Sequence, residues 1–90
     1  MSLVGADITA LREFASSLRY RRQEIDATRQ HLTAVVENLP WAGGDHDRFV
    51  DEWRRVHAPG IARMVDELAT AAREASDHAD RQEHASRRWV

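Results

Sequence analysis

The chain has 90 residues, 31% of them charged and 7% aromatic, with a formal net charge of −2, two prolines, four glycines and no cysteine. Every basic residue apart from the five histidines is arginine, yet the overall charge balance excludes a strong long-range attraction to nucleic acid or anionic membrane, and the missing cysteines exclude disulfides and thiolate chemistry. A single domain of this length buries only roughly 60–65% of the surface its unfolded chain exposes, and few aromatics with many charges favour an all-α chain over a sandwich or barrel.

At the N-terminus, MSLVGADITALREF has no basic leader and no apolar run long enough for a signal peptide or a membrane span. Stable membrane insertion is therefore not expected, and any export would proceed without a cleaved signal. From Ile8 onward the apolar residues follow helical spacing, and Leu11, Leu18, Ile25, Leu32 and Leu39 recur every seven residues. This predicts a helix over about 7–38, with Asp7 as its N-cap and Pro40 as its stop. Such a helix is about 48 Å long at 1.5 Å per residue, which suits a hairpin rather than a compact globule.

The stretch Leu39-Pro40-Trp41-Ala42-Gly43-Gly44-Asp45 supplies the reversal over 39–44. Gly43 and Gly44 can take positive φ, Asp45 can cap the next helix, and Trp41 can fold over the hairpin end. A second helix is predicted over about 45–88, with Phe49, Trp53 and Val56, then Ile61, Met64, Val65, Leu68 and a run of alanines on one stripe. The stripe slips by one residue across Pro59-Gly60, which predicts a kink there. Beyond Leu68, His78 and Gln82 fall at expected core positions, and the last turns are expected to fray.

Two such helices form a slab, because one antiparallel neighbour covers only part of each apolar stripe. Phe14, Phe49, Trp53 and Met64 would stay partly wet in a monomer, and a second hairpin completing a four-helix bundle would cover them. The expected interface and core residues are Leu11, Phe14, Leu18, Ile25, Phe49, Trp53, Val56 and Leu68.

Catalysis has little support. The histidines at 31, 46, 57, 78 and 84 are scattered, no Glu precedes a His by three residues, and no glycine loop is followed by Gly-Lys-Ser/Thr. Glu74 with His78, or Asp45-His46-Asp47, supplies too few ligands for a metal site, so no metal or cofactor is expected. The arginine clusters at 19–22, 54–55 and 87–88 hint at nucleic acid, but Glu13, Glu24, Asp26, Asp51 and Glu52 flank the first two, as on a solvated or partner-pairing helix face. Nucleic-acid binding is not expected.

Trp41-Ala42-Gly43, central between two long heptad-patterned helices in a chain of about 90 residues, resembles the Trp-x-Gly motif of the WXG100 (ESAT-6-like) family. The resemblance covers essentially the whole chain, and Phe49, Trp53, Ile61 and Leu68 are similar to the apolar positions after the motif. It implies a hairpin that dimerises, with itself or with a WXG100 paralogue, and that engages type VII (ESX) secretion machinery, moving from the cytoplasm to the exterior without a cleaved signal. In the family, Trp41 and Gly43 would correspond to half of an export signal. The other half is a Tyr-x-x-x-Asp/Glu tail; here that pattern occurs only as Tyr20 to Glu24 within the first helix, so a partner would have to supply the tail. The alternative is a non-exported helical dimerisation or adaptor module, or the targeting domain of a longer protein.

Overall fold

A computed structural model describes residues 3–40 and 43–87. Every regular element among them is helical: α1 (Leu3–Glu37), α2 (Gly44–Glu52), a π-helical turn (Trp53–His57) and α3 (Ala58–Arg87). The chain is thus all-α, with two helical arms joined by one reversal. Backbone contacts divide it into two compact units, one built from α1 up to Arg22 with α3 from Glu67, the other from Gln23–Asp66.

α1 starts at Leu3, so Asp7 lies inside it rather than at its N-cap. Its end is closed locally. Asn38 donates its backbone N–H to the Ala34 and Val35 carbonyls at 3.2 Å, and its side-chain amide donates to Ala34 O at 2.7 Å. These bonds satisfy carbonyls that the helix terminus would otherwise orphan. Gly43, with φ 112° and ψ −177°, is the N-cap of α2 and the one positive-φ residue among those described. That backbone region is essentially reserved for glycine. Gly44 is already helical, and Asp45 lies in the first turn with Asp47, where the carboxylates favour the positive end of the helix dipole without a side-chain capping bond.

The second arm does not break at Pro59. Instead a π-turn precedes it, with the Ala58 N–H bonded to Trp53 O, five residues back. Proline has no N–H to donate and its ring clashes with the carbonyl four residues earlier, that of Arg55; a wider turn moves that carbonyl aside. A π-turn also inserts one extra residue into the helical repeat. The Phe49, Trp53, Val56 stripe therefore resumes at Ile61 and Met64 rather than at 60 and 63.

In the unit that joins α1 up to Arg22 with α3 from Glu67, the core is alanine: Ala15, Ala72, Ala75 and Ala79 are buried. Small residues let the backbones approach closely, and polar bonds span the seam. The Arg12 guanidinium donates to Asp80 at 3.1 Å and to Glu83, and Arg19 donates to Ser76 Oγ at 2.7 Å. The Arg12 pairings with Asp80 first and Glu83 next hold its guanidinium above the ordinary arginine pKa. His78, expected at a core position, is exposed, whereas Ala75 and Ala79 of the same expected stripe are buried. Gln82 is half-buried, with its Oε1 enclosed and lacking a hydrogen-bond partner.

In the unit Gln23–Asp66, the core is Val36, Val50, Ala58 and Val65. Trp53 locks the two arms in register: its indole N–H donates to Thr33 Oγ1 at 2.8 Å, and the Thr33 hydroxyl donates to Arg29 O at 2.9 Å. Arg54 pairs with Glu37 at 2.9 Å beside the reversal.

Candidate functional site

α1 is built on a repeated dipeptide in which an apolar residue precedes a polar one: Leu11-Arg12, Leu18-Arg19, Ile25-Asp26 and Leu32-Thr33. Neighbouring residues project about 100° apart on a helix, so the two lines occupy opposite shoulders of the face turned toward the second arm. In the alanine-cored unit the polar line carries the Arg12 and Arg19 bonds, with buried Ala15 between the lines.

Within Gln23–Asp66 the same division leaves the two shoulders unlike. On the polar line Asp26 holds Arg29 at 2.9 Å and accepts from Gln30 at 3.3 Å, and Thr33 receives the Trp53 indole. On the apolar line Ile25 and Leu32 of α1 face Ile61 and Met64 of α3 across a groove of about 350 Å³, with Glu24, Thr28 and Arg29 completing its lining. Leu32 is 38% and Met64 45% exposed, so this shoulder is apolar and open. Burying a side chain of this size is worth about 1.5–3 kcal/mol.

The expected interface residues divide between the two units. Ile25 and Trp53 are half-buried in Gln23–Asp66, where Phe49 and Val56 are exposed; Leu11, Leu18 and Leu68 are half-buried in the other unit, where Phe14 is 55% exposed. Ile25 lines the groove and Trp53 bonds across the seam. Met64, expected to stay partly wet in a monomer, is 45% exposed and lines the groove, whereas sequence reasoning passed over Leu32 and Ile61 as docking residues and Thr33 as the partner of Trp53. The signal for Leu32 and Ile61 was the stripe itself, read on both sides of the π-turn. Trp41 and Ala42 lie outside the described residues, as does Trp89.

A polar hollow beside the reversal is lined by Glu37, His46, Asp47, Val50, Asp51 and Arg54; His46 Nδ1 stands 3.3 Å from Asp47, and Arg54 pairs with Glu37 at 2.9 Å. Among the described residues no three His, Cys, Asp or Glu side chains group to hold a metal ion. No helix among them is long and apolar enough to cross a membrane. Compared with models of known families, with curated proteins and with solved structures, the chain matches none.

Proposed function

We propose that the chain is a helical-hairpin protein of the WXG100 type, a type VII (ESX) secretion substrate or secretion partner that acts by dimerising with itself or a paralogue into a four-helix bundle. What supports this reading is the sequence Trp41-Ala42-Gly43 lying between two long helical stretches, α1 ending at Glu37 and α2 beginning at Gly44. The open apolar groove supports the dimerising part, since a second amphipathic hairpin is the chemistry it suits. The protein resides in the cytoplasm before export and is exported without a cleaved signal. Its work is recognition, with no catalytic step, metal or cofactor.

The test compares the natural host with and without its secretion ATPase. The protein is expected outside the cell only when the ATPase is present, and retention in both strains would overturn the reading. Trp41→Ala is expected to dimerise normally and remain inside. The second reading, a non-exported dimerisation or adaptor module or a targeting domain, is favoured by the groove alone, because a docking face calls for a partner but not for transport. It predicts retention in both strains with dimerisation intact.

A further inference from the structure

In the alanine-cored unit the guanidiniums divide by what they hold. Arg12 and Arg87 end on carboxylates, whereas Arg19 donates to Ser76 Oγ at 2.7 Å and Arg73 to Thr70 Oγ1 at 3.2 Å, both neutral acceptors. Arg22 is half-buried, and its enclosed Nε has no acceptor among the described residues. A guanidinium makes its strongest bonds to carboxylate or phosphate, so this part of the seam sets cationic donors against weak partners. These residues converge on one level. The Arg12–Asp80 and Arg19–Ser76 bonds show α1 and α3 running antiparallel in this unit, so Arg22, about one turn after Arg19, lies toward the turn of α3 that precedes Ser76. Arg73 stands in that turn, three residues before Ser76, at a spacing that makes the two surface neighbours. A helical side chain leans toward the N-terminus of its helix, so a group added to Ser76 Oγ lies over the level of Arg73. In the other direction Asp80, one turn after Ser76, is paired with Arg12 at 3.1 Å.

We propose that Ser76 is a phosphorylation site, and that its phosphate clamps α1 to α3 through Arg19 and Arg73. The Ser76 hydroxyl takes the γ-phosphoryl group of a nucleoside triphosphate bound to a protein serine kinase. The Oγ–P bond forms, the bond from that phosphorus to the β–γ bridging oxygen breaks, the hydroxyl proton passes to the kinase's base, and the nucleoside diphosphate leaves. A phosphoserine carries about −1.5 to −2 charge at neutral pH and three strong acceptor oxygens. It can therefore engage Arg19 from one helix and Arg73 from the other at once, with Arg22 adding positive charge beside them. The spacing Arg73-Glu74-Ala75-Ser76 also places a cation three residues before the acceptor hydroxyl, a charge pattern that a kinase with an acidic substrate subsite reads. Ser76 is half-buried, and reaching it opens a seam whose core is alanine, so little apolar surface is exposed in the opening. The inference is independent of what occupies the open groove of Gln23–Asp66.

Full-length protein carrying phosphoserine in place of Ser76 is expected to unfold about 4–8 °C above the unmodified chain. Arg19→Gln and Arg73→Gln should each remove much of that gain while shifting the unmodified chain little, because both arginines are exposed. Tandem mass spectrometry of the protein isolated from its natural host, with phosphatases inhibited, should find phosphate on Ser76. Circular dichroism of each arginine variant separates a lost clamp from a lost fold. A phosphorylated chain that unfolds no higher than the unmodified one, or whose gain survives both arginine substitutions, overturns the clamp. Host protein without phosphate on Ser76 overturns the modification. If inorganic phosphate stabilises the unmodified chain and Arg19→Gln abolishes the effect, the arginines hold a free anion instead, and the proposal is likewise overturned.

Discussion

The two units solve the same packing problem in opposite ways. The unit of α1 up to Arg22 with α3 from Glu67 is filled with alanines and tied by Arg12 and Arg19, so its seam is tight but little apolar surface is buried per residue. Gln23–Asp66 has valines in its core and Trp53 bonded to Thr33, yet leaves Leu32, Val35, Phe49, Val56 and Met64 exposed. No large side chain is fully buried among the described residues. The alanine seam packs by close approach, with Phe14 and Tyr20 exposed beside it; the other unit leaves five large apolar side chains exposed around a valine core.

The alanine seam should be least tolerant of growth. Ala79→Leu, at a position with no exposure, is expected to destabilise by about 1–3 kcal/mol through overpacking, read by thermal or urea unfolding. Thr28→Leu in the groove should leave chain stability nearly unchanged, and an equal loss from both would erase the contrast. At the reversal, Gly43→Ala should cost about 1–3 kcal/mol, because no residue with a Cβ readily holds φ 112°, although the added atom meets nothing within 4 Å. Gly44→Ala, in a helix and equally unobstructed, should be neutral or stabilising by about 0.5–1 kcal/mol.

Val65→Ala in the valine core should cost about 1.5 kcal/mol for two buried methyl groups, with any cavity term added. Gln82→Leu should stabilise by about 1 kcal/mol, because it removes an enclosed acceptor without a partner. Smallest of all is Arg12→Gln, a slight loss that shrinks further in high salt, since both ion pairs are solvent-exposed. Arg12 is a base whose folded pKa is raised, so its contribution is complete below the unfolded value and fades only as pH rises through the folded one. That window lies above working pH, and unfolding near neutrality should show no pH dependence from this guanidinium.

Much of this architecture was legible in the sequence because it is periodic. The heptad of Leu11, Leu18, Ile25 and Leu32 marks one shoulder of α1, and the one-residue slip across Pro59 has its physical counterpart in the π-turn. Local chemistry was less informative where a tertiary or terminal effect outweighed it. Asp7 has the chemistry of an N-cap, but the backbone is helical from Leu3. His78 continues the stripe extrapolated from larger residues, but the phase after the π-turn favours Ala75 and Ala79. The role of Thr33 was hidden because a threonine in a helix carries no mark of the indole that reaches it from 20 residues away. For the candidate surface, the apolar residues were visible individually, but that the polar shoulder beside them is the one bonded across, by Thr33 to Trp53, was not.

The central claim, that the open shoulder of Gln23–Asp66 is a docking face while the polar shoulder is internal closure, is tested most directly by light scattering on two charge substitutions. The wild type is expected to be a dimer, Leu32→Asp a folded monomer, and Asp26→Ala a dimer still. A dimer that survives Leu32→Asp and dissociates with Asp26→Ala would contradict the account.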